Sequence, residues 1–216
     1  MKTTHRAKVL KYYNDRAGAL STVYDALNRE QVHADLLSLL PKNRKLKVLD
    51  VGAGSGADAK MFAQAGHDVV AVEPAKKLRE IAKKSFKNKK IKWISDQLPQ
   101  LKKVEDMKTK FNVVVAIGIL QYLDEEDRSI ALKNIVKLLD KNALLEIQYP
   151  APASRDHQFS IKENEINRIL HSFNQEKKTS SRFKILFNKK IPETTGRKAL
   201  DGYPLFFQTI LIKRTR

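Results

Sequence analysis

Lys47-Val48-Leu49-Asp50-Val51-Gly52-Ala53-Gly54-Ser55-Gly56 is the stretch on which the fold turns. A short apolar run of strand character meets three glycines in five positions. Glycine tolerates left-handed backbone and lets a ligand come close, and a following helix offers unpaired N–H groups at its first turn. So many glycines would weaken an ordinary helix start, which favours a ligand-holding loop over a plain turn. The loop alone does not choose its ligand. Gly52, Gly54 and Ala57 also satisfy the G-x-G-x-x-A form of a dinucleotide fingerprint.

Outward from the loop, strand patterns at 68–73, 90–95, 111–117 and 143–149 alternate with helix patterns at 57–65, 75–88, 125–139 and 161–175. Such alternation predicts right-handed crossovers and a doubly wound, mostly parallel sheet with helices on both faces. The run Phe111-Asn112-Val113-Val114-Val115-Ala116-Ile117 is nearly all apolar, as a central strand buried on both faces requires. Upstream, 8–28 and 29–40 read as two helices, the second stopped by Pro41. Downstream, Ser160-Ile161-Lys162-Glu163 fits a capping box. Two strand-like runs at 183–187 and 206–212, joined by a polar loop with Gly196 and Gly202, suggest an antiparallel pair at one edge.

Two acidic residues follow the next two strands. Glu73, in Val72-Glu73-Pro74, sits where a ribose diol would lie, and two carboxylate oxygens can accept both hydroxyl protons. Asp96, in Ser95-Asp96-Gln97, could read an adenine edge or simply belong to a turn before Pro99.

Together these residues resemble the class I S-adenosylmethionine-dependent methyltransferase family, strongly over about residues 46–150 and weakly in the flanks. The resemblance implies a Rossmann-like α/β fold with a seven-stranded, mostly parallel sheet, an antiparallel last strand and helices on both faces. It implies S-adenosyl-L-methionine as cofactor and S-adenosyl-L-homocysteine as product. No metal is expected, because no two of the five histidines sit at i, i+4 with a carboxylate nearby. Cofactor contacts are then expected from Asp50, Gly52, Ala53, Gly54 and Gly56, from Glu73 and Pro74, from Asp96 and Gln97, and from Ile117 and Gly118 at the end of the fourth strand. The usual Pro-Gly-Gly turn before the fifth strand is replaced by Asp140-Lys141-Asn142, which still forms turns. No Asp/Asn-Pro-Pro-Tyr follows the fourth strand, so the likeness does not extend to enzymes that methylate exocyclic amines of DNA bases.

Acceptor candidates come from the segments expected to roof the strand ends: Tyr12, Tyr13, Arg16 and Tyr24 upstream, Gln121 and Tyr122 after the fourth strand. No acid or base is required, because the sulfonium methyl is already activated and the protein must chiefly align and desolvate. Catalytic candidates are correspondingly thin: His157, Tyr24 and Gln121. The run Asp124-Glu125-Glu126-Asp127 reads as the start of a helix.

The chain of 216 residues is long enough for one such domain, divided into an N-terminal helical lid (1–45), a cofactor core (46–150) and a C-terminal helix with a strand pair (151–216). It has no cysteine, which excludes thiolate nucleophiles, disulfides and cysteine-ligated clusters and suits a cytoplasmic setting. No run approaches the ~18 apolar residues of a membrane span, and no secretory signal is visible.

The formal charge is +18, from 42 Lys and Arg against 24 Asp and Glu. It is uneven: +6 over 1–47, −3 over 48–75, +9 over 76–110, −2 over 111–150 and +8 over 151–216. The cofactor segments are the acidic ones. Lysine supplies 30 of the basic residues, without interleaved aromatics, which favours a solvated face over a nucleic-acid footprint. The lysine-rich helix from 76 is expected to lie away from the acceptor mouth. The expected function is methyl transfer to a small molecule. RNA or a ribosomal component as acceptor, a nicotinamide-dependent enzyme using the same loop, and a binding module that retains the cofactor without activity are the alternatives.

Overall fold

In the computed structural model the described residues are 2–87, 90–151, 157–162, 164–175, 182–192 and 206–215. The strands are β1 (Lys47–Val51), β2 (Asp68–Val72), β3 (Ile91–Ile94), β4 (Phe111–Ile117), β5 (Leu139–Ala151), β6 (Phe183–Pro192) and β7 (Phe206–Arg214). They form one seven-stranded sheet in the order β3-β2-β1-β4-β5-β7-β6. β1 to β5 run parallel, and β7 is antiparallel to both β5 and β6. This is the expected sheet with its reversed last strand.

Side-chain alternation splits the core in two. Leu49, Val114, Leu145 and Ile212 lie in one row across four strands and face one side. There they pack with α7 (Lys102–Asp106), α8 (Glu125–Leu138) and α9 (Glu165–Gln175), through Val104, Ile135 and Leu170 among others. Val48, Val113 and Leu144 face the other side, covered by α4 (Ala34–Ser38) and α5 (Ala57–Gln64), which bring in Leu36, Ala59 and Phe62. Burial on both faces explains why the central strands lack polar alternation.

The N-terminal segment is more broken than its sequence suggested. The first expected helix is α1 (Lys2–Asp15) and α2 (Ala17–Asp25), interrupted at Arg16; the second is α3 (Arg29–Val32) and α4, interrupted at His33. Arg16 and His33 both leave helical geometry (φ −106° and −104°, ψ near 15°). Asn28 caps α3, its side chain accepting from the Gln31 N–H. The lysine-rich helix is α6 (Lys76–Ser85), and its placement corrects the expectation. Leu78 and Ile81 pack with Leu10, Tyr13 and Ala17 of α1 and α2, and the Lys77 N–H donates to Asn14. α6 therefore supports the roof of the strand ends, with its lysines outward. The short α7 was not anticipated. The expected turn at Asp140–Asn142 is an insertion inside β5, with Asn142 at φ +60°. Glu163 of the expected capping box, and Gly196 and Gly202, lie outside the described residues.

Asp124 accepts from the Asp127 N–H and caps α8, as its acidic start predicted. One turn on, Arg128 is buried against Glu165 at the start of α9: Nε to Oε1 at 2.5 Å and Nη2 to Oε2 at 3.0 Å. The same guanidinium also donates to the Leu123 carbonyl and, at 3.3 Å, to that of Ser160. This fork ties the C-terminal part of the chain to the loop after β4. Arg128→Met strands a buried carboxylate and is expected to cost about 3–5 kcal/mol. That is a Tm loss on the order of 10 °C by thermal denaturation, and a second change, Glu165→Leu, should restore most of it.

Candidate functional site

Every parallel strand ends at the same edge of the sheet, and the loops there enclose a cavity of about 450 Å³. One wall is the glycine loop after β1. The Gly52 and Ala53 N–H groups both donate to the Val72 carbonyl at 2.8 Å, binding the loop to the end of β2. Gly52, Gly54 and Gly56 all have positive φ. At Gly52 a Cβ would collide with the Ile119 side chain, and at Gly56 it would come within 2.6 Å of Trp93. Glycine is thus demanded by both conformation and space.

Glu73 holds this wall in place. Its Oε2 accepts from the Gly54 N–H at 2.8 Å, and Oε1 from the Ala75 N–H at 2.7 Å. Arg79 donates to the carbonyls of Glu73 and Pro74. Burial lifts the Glu73 carboxyl to about 7, against the pull of those two N–H groups and of Arg79. Each oxygen keeps a further lone pair for a ligand hydroxyl.

Asp96 lies along the next wall. Its Oδ1 accepts from the Gln97 N–H at 2.9 Å and its Oδ2 from the Val104 N–H at 3.1 Å, so the carboxylate also caps α7. Asp96, Gln97 and Leu98 line the cavity, as do Ile117 and Gly118 at the end of β4.

The roof comes from α1 and α2. The Tyr13 hydroxyl donates to that of Tyr122 at 2.7 Å, and Gln158 Nε2 donates to the same oxygen at 3.3 Å. Burial, then the neighbouring Tyr24 and Tyr122, push the Tyr13 phenol well above its ordinary range. It therefore serves as a neutral hydrogen-bonding group. The Tyr24 ring lies over the glycine loop, 3.4 Å from where a Cβ on Gly54 would stand. Gln121, 3% exposed, donates through Nε2 to the Gly118 carbonyl, while its Oε1 has no partner among the described residues. Val9, Leu10, Leu20, Val23, Leu123 and Phe207 complete an apolar surface.

Most of the sequence-nominated residues converge here. Gly52, Ala53, Gly54, Glu73, Pro74, Asp96, Gln97, Ile117 and Gly118 line the cavity, with Tyr13, Tyr24, Gln121 and Tyr122. Five do not line it. Gly56 lies beyond the loop at the N-cap of α5. Asp50 points to the face covered by α4 and α5, 2% exposed, and burial and then the Asp58 charge hold its carboxyl well above the usual range. Tyr12, Arg16 and His157 form a separate cluster, with the Arg16 guanidinium 4.4 Å from the Tyr12 ring and the His157 ring 6.1 Å from it.

Sequence reasoning missed Arg6, Arg29, Ser55 and Asp58, all in the cavity wall. Arg29 Nη1 stands 3.3 Å from Asp58 Oδ1, and Nη2 donates to the Tyr24 carbonyl at 2.8 Å. Ser55 donates to Asp25, and Arg6 pairs with Asp127 at 2.8 Å. The signal for Arg29 was its place directly after the helix-capping Asn28. The wall as a whole offers a carboxylate to a diol, open backbone to a planar ring, and an arginine to an anionic end.

A family profile described as a methyltransferase domain matches residues 24–180. The chain is 29% identical over 118 residues to the ubiquinone biosynthesis O-methyltransferase of Pelagibacter ubique, covering 55% of this chain and 48% of that protein. It is 28% identical over 127 residues to the glycine N-methyltransferase of Rattus norvegicus, covering 53% of this chain and 43% of the relative. The chain spans about half the length of the curated relatives it matches. Among solved structures, magnesium protoporphyrin IX methyltransferase of Synechocystis PCC 6803 with bound S-adenosylhomocysteine superposes with a TM-score of 0.70 at 17% identity. That match covers 97% of this chain and 99% of the other, and shows a shared fold.

The Glu73 carboxyl makes stability depend on pH. Below its ordinary value of 4.5 it is protonated in the folded and unfolded chain alike; between 4.5 and about 7 only the unfolded chain releases the proton. Folding therefore loses about 3 kcal/mol as pH rises through that window, a loss absent from Glu73→Gln. Thermal melts across the window should show the unaltered chain falling relative to the variant. Parallel curves would contradict the raised value.

Proposed function

Because the chain belongs to the class I S-adenosylmethionine-dependent methyltransferase family, we propose that it transfers a methyl group to a small, uncharged, largely apolar acceptor. The observation that carries the acceptor is the roof of the cavity. It is built from aliphatic side chains, Phe207 and tyrosines, and the two guanidinium groups in the wall, Arg6 and Arg29, are each paired with a carboxylate. Such a surface favours apolar ligands oriented by a few hydrogen bonds and offers no net charge to a polyanion. The names of the curated relatives, an O-methyltransferase of ubiquinone biosynthesis and a glycine N-methyltransferase, support a small acceptor without identifying it.

The residues present fit the cofactor. Glu73 would take the ribose hydroxyls, the Asp96–Leu98 wall the adenine, the glycine loop the close backbone approach, and Arg29 the carboxylate end. Bound there, S-adenosylmethionine supplies an electrophilic methyl on a sulfonium. The chain's own work is to align the nucleophile and exclude water. Gln121 Oε1 is offered to an N–H or O–H of the acceptor, which orients its lone pair. The Tyr13 and Tyr122 hydroxyls complete the polar end of an otherwise apolar site. No general base is invoked. Residues 1–45 serve in this reading as the lid, residues 46–150 as the cofactor core and residues 151–216 as a C-terminal helix with a strand pair, and the absence of cysteine supports a cytoplasmic setting.

RNA as acceptor would rest on the +18 charge, which lies mainly outside the cofactor segments. The nicotinamide reading would leave the apolar roof without a role. Incubation with methyl-tritiated S-adenosylmethionine and either a low-molecular-weight cell extract or total RNA separates the acceptor classes. Label is expected in the small-molecule fraction, reduced about tenfold by Gln121→Ala if one buried hydrogen bond orients the nucleophile. Label in RNA would overturn the acceptor assignment, and label in neither would overturn the enzyme.

A further inference from the structure

Glu146 is out of place by the logic of its strand. It stands in the middle of β5, 1% exposed, in a cross-sheet row that runs Asp50, Val115, Glu146, Leu211. An ionised carboxylate there costs several kcal/mol in lost hydration unless a cation meets it. The cation is His33, at the break between α3 and α4, with no exposed surface. Its Nδ1 lies 2.5 Å from Glu146 Oε2 and its Nε2 3.0 Å from Asp58 Oδ1.

An ionised carboxylate only accepts hydrogen bonds, and a neutral imidazole carries one N–H. Two carboxylates, one on each ring nitrogen, therefore call for the imidazolium. Burial opposes that charge, but Asp58 and Glu146 outweigh it and hold His33 at about 10. The cluster pairs His33 and Arg29 with Asp58 and Glu146, while burial and then the Asp58 charge push the nearby Asp50 carboxyl upward.

Two lines of contact leave His33. Toward the sheet, Glu146 Oε1 accepts from Gln148 Nε2, which also donates to the Val32 carbonyl. Toward the cavity, Asp58 Oδ1 meets Arg29, whose other amino group donates to the carbonyl of Tyr24, the residue whose ring lies over the glycine loop. His33 itself does not line the cavity. Glu146 and the sheet fix one side of the ring, and Asp58 and Arg29 hang from the other.

We propose that His33 is a positioning residue: pinned to the sheet by Glu146, it sets Asp58 and through it the direction in which Arg29 faces the cavity, and so the affinity for the carboxylate-bearing end of the cofactor. The inference rests on the methyltransferase reading for the identity of that ligand. It concerns one end of the ligand only, which separates it from a general role in stability.

Calorimetric titration with S-adenosylhomocysteine and, separately, with adenosine tests it, because the two share the nucleoside and only the first carries the carboxylate. In His33→Gln the affinity for S-adenosylhomocysteine should fall about tenfold or more, as expected for a misdirected charge-assisted contact, while that for adenosine changes less than twofold. Glu146→Gln, which keeps the shape but loosens the pin, should give the same split and serves if His33→Gln does not fold. Equal losses for both ligands, or none for either in a folded variant, would overturn the proposal. Absence of S-adenosylhomocysteine binding to the unaltered chain would overturn the methyltransferase reading and this inference with it.

Discussion

Both oxygens of the Glu73 carboxylate are held by backbone N–H groups, one from the glycine loop and one from the segment that leads into α6. Much of the cavity is built from that clamp. It sets the distance between the ends of β1 and β2, already joined by the Val72 carbonyl, and so the path of Gly52 to Gly56. The loop in turn starts α5, receives the Tyr24 ring and packs its last glycine on Trp93. A carboxylate that shapes the floor while keeping lone pairs for a ligand couples structure and binding in one group.

The roof is fastened by charge where the floor is fastened by backbone. α1 and α2 rest on α6 through apolar contacts and the Lys77–Asn14 hydrogen bond, and the charged anchors of the N-terminal segment include Arg6 to Asp127, Arg29 to Asp58 and His33 to Glu146. Arg29, Asp58, His33 and Glu146 are buried or nearly so, where solvent screens little and an unpaired member is costly. Each of the two guanidinium groups that line the cavity is thereby matched by a carboxylate. No lysine among the described residues lines the cavity, so the basic excess of the chain stays outside it.

The sheet and the glycine-loop wall of the cavity were legible because their signals are local. Near-continuous apolar strands, a glycine cluster at a strand end and an acid after the next strand each occupy fewer than a dozen residues, and the parallel topology follows from alternation. The buried polar contacts were not legible, since their partners lie far apart in the chain: His33 and Glu146 by 113 residues, Arg6 and Asp127 by 121. Asp50 shows a subtler limit. Its place before the glycines suggested a ligand contact, but strand alternation puts its side chain on the face of Val48 rather than that of Leu49. The placing of α6 away from the roof failed because amphipathicity says which face is buried and not what buries it. Short elements such as α7, and the helix breaks at Arg16 and His33, carry too few residues to show a period.

The central claim is that the glycine loop and Glu73 form a site for S-adenosylmethionine rather than for a dinucleotide. The direct measurement is calorimetric titration of the unaltered chain with S-adenosylhomocysteine in the absence and presence of excess NAD. The account predicts one site for S-adenosylhomocysteine per chain, with an affinity that NAD leaves unchanged. Binding of NAD at that site with no binding of S-adenosylhomocysteine would contradict it.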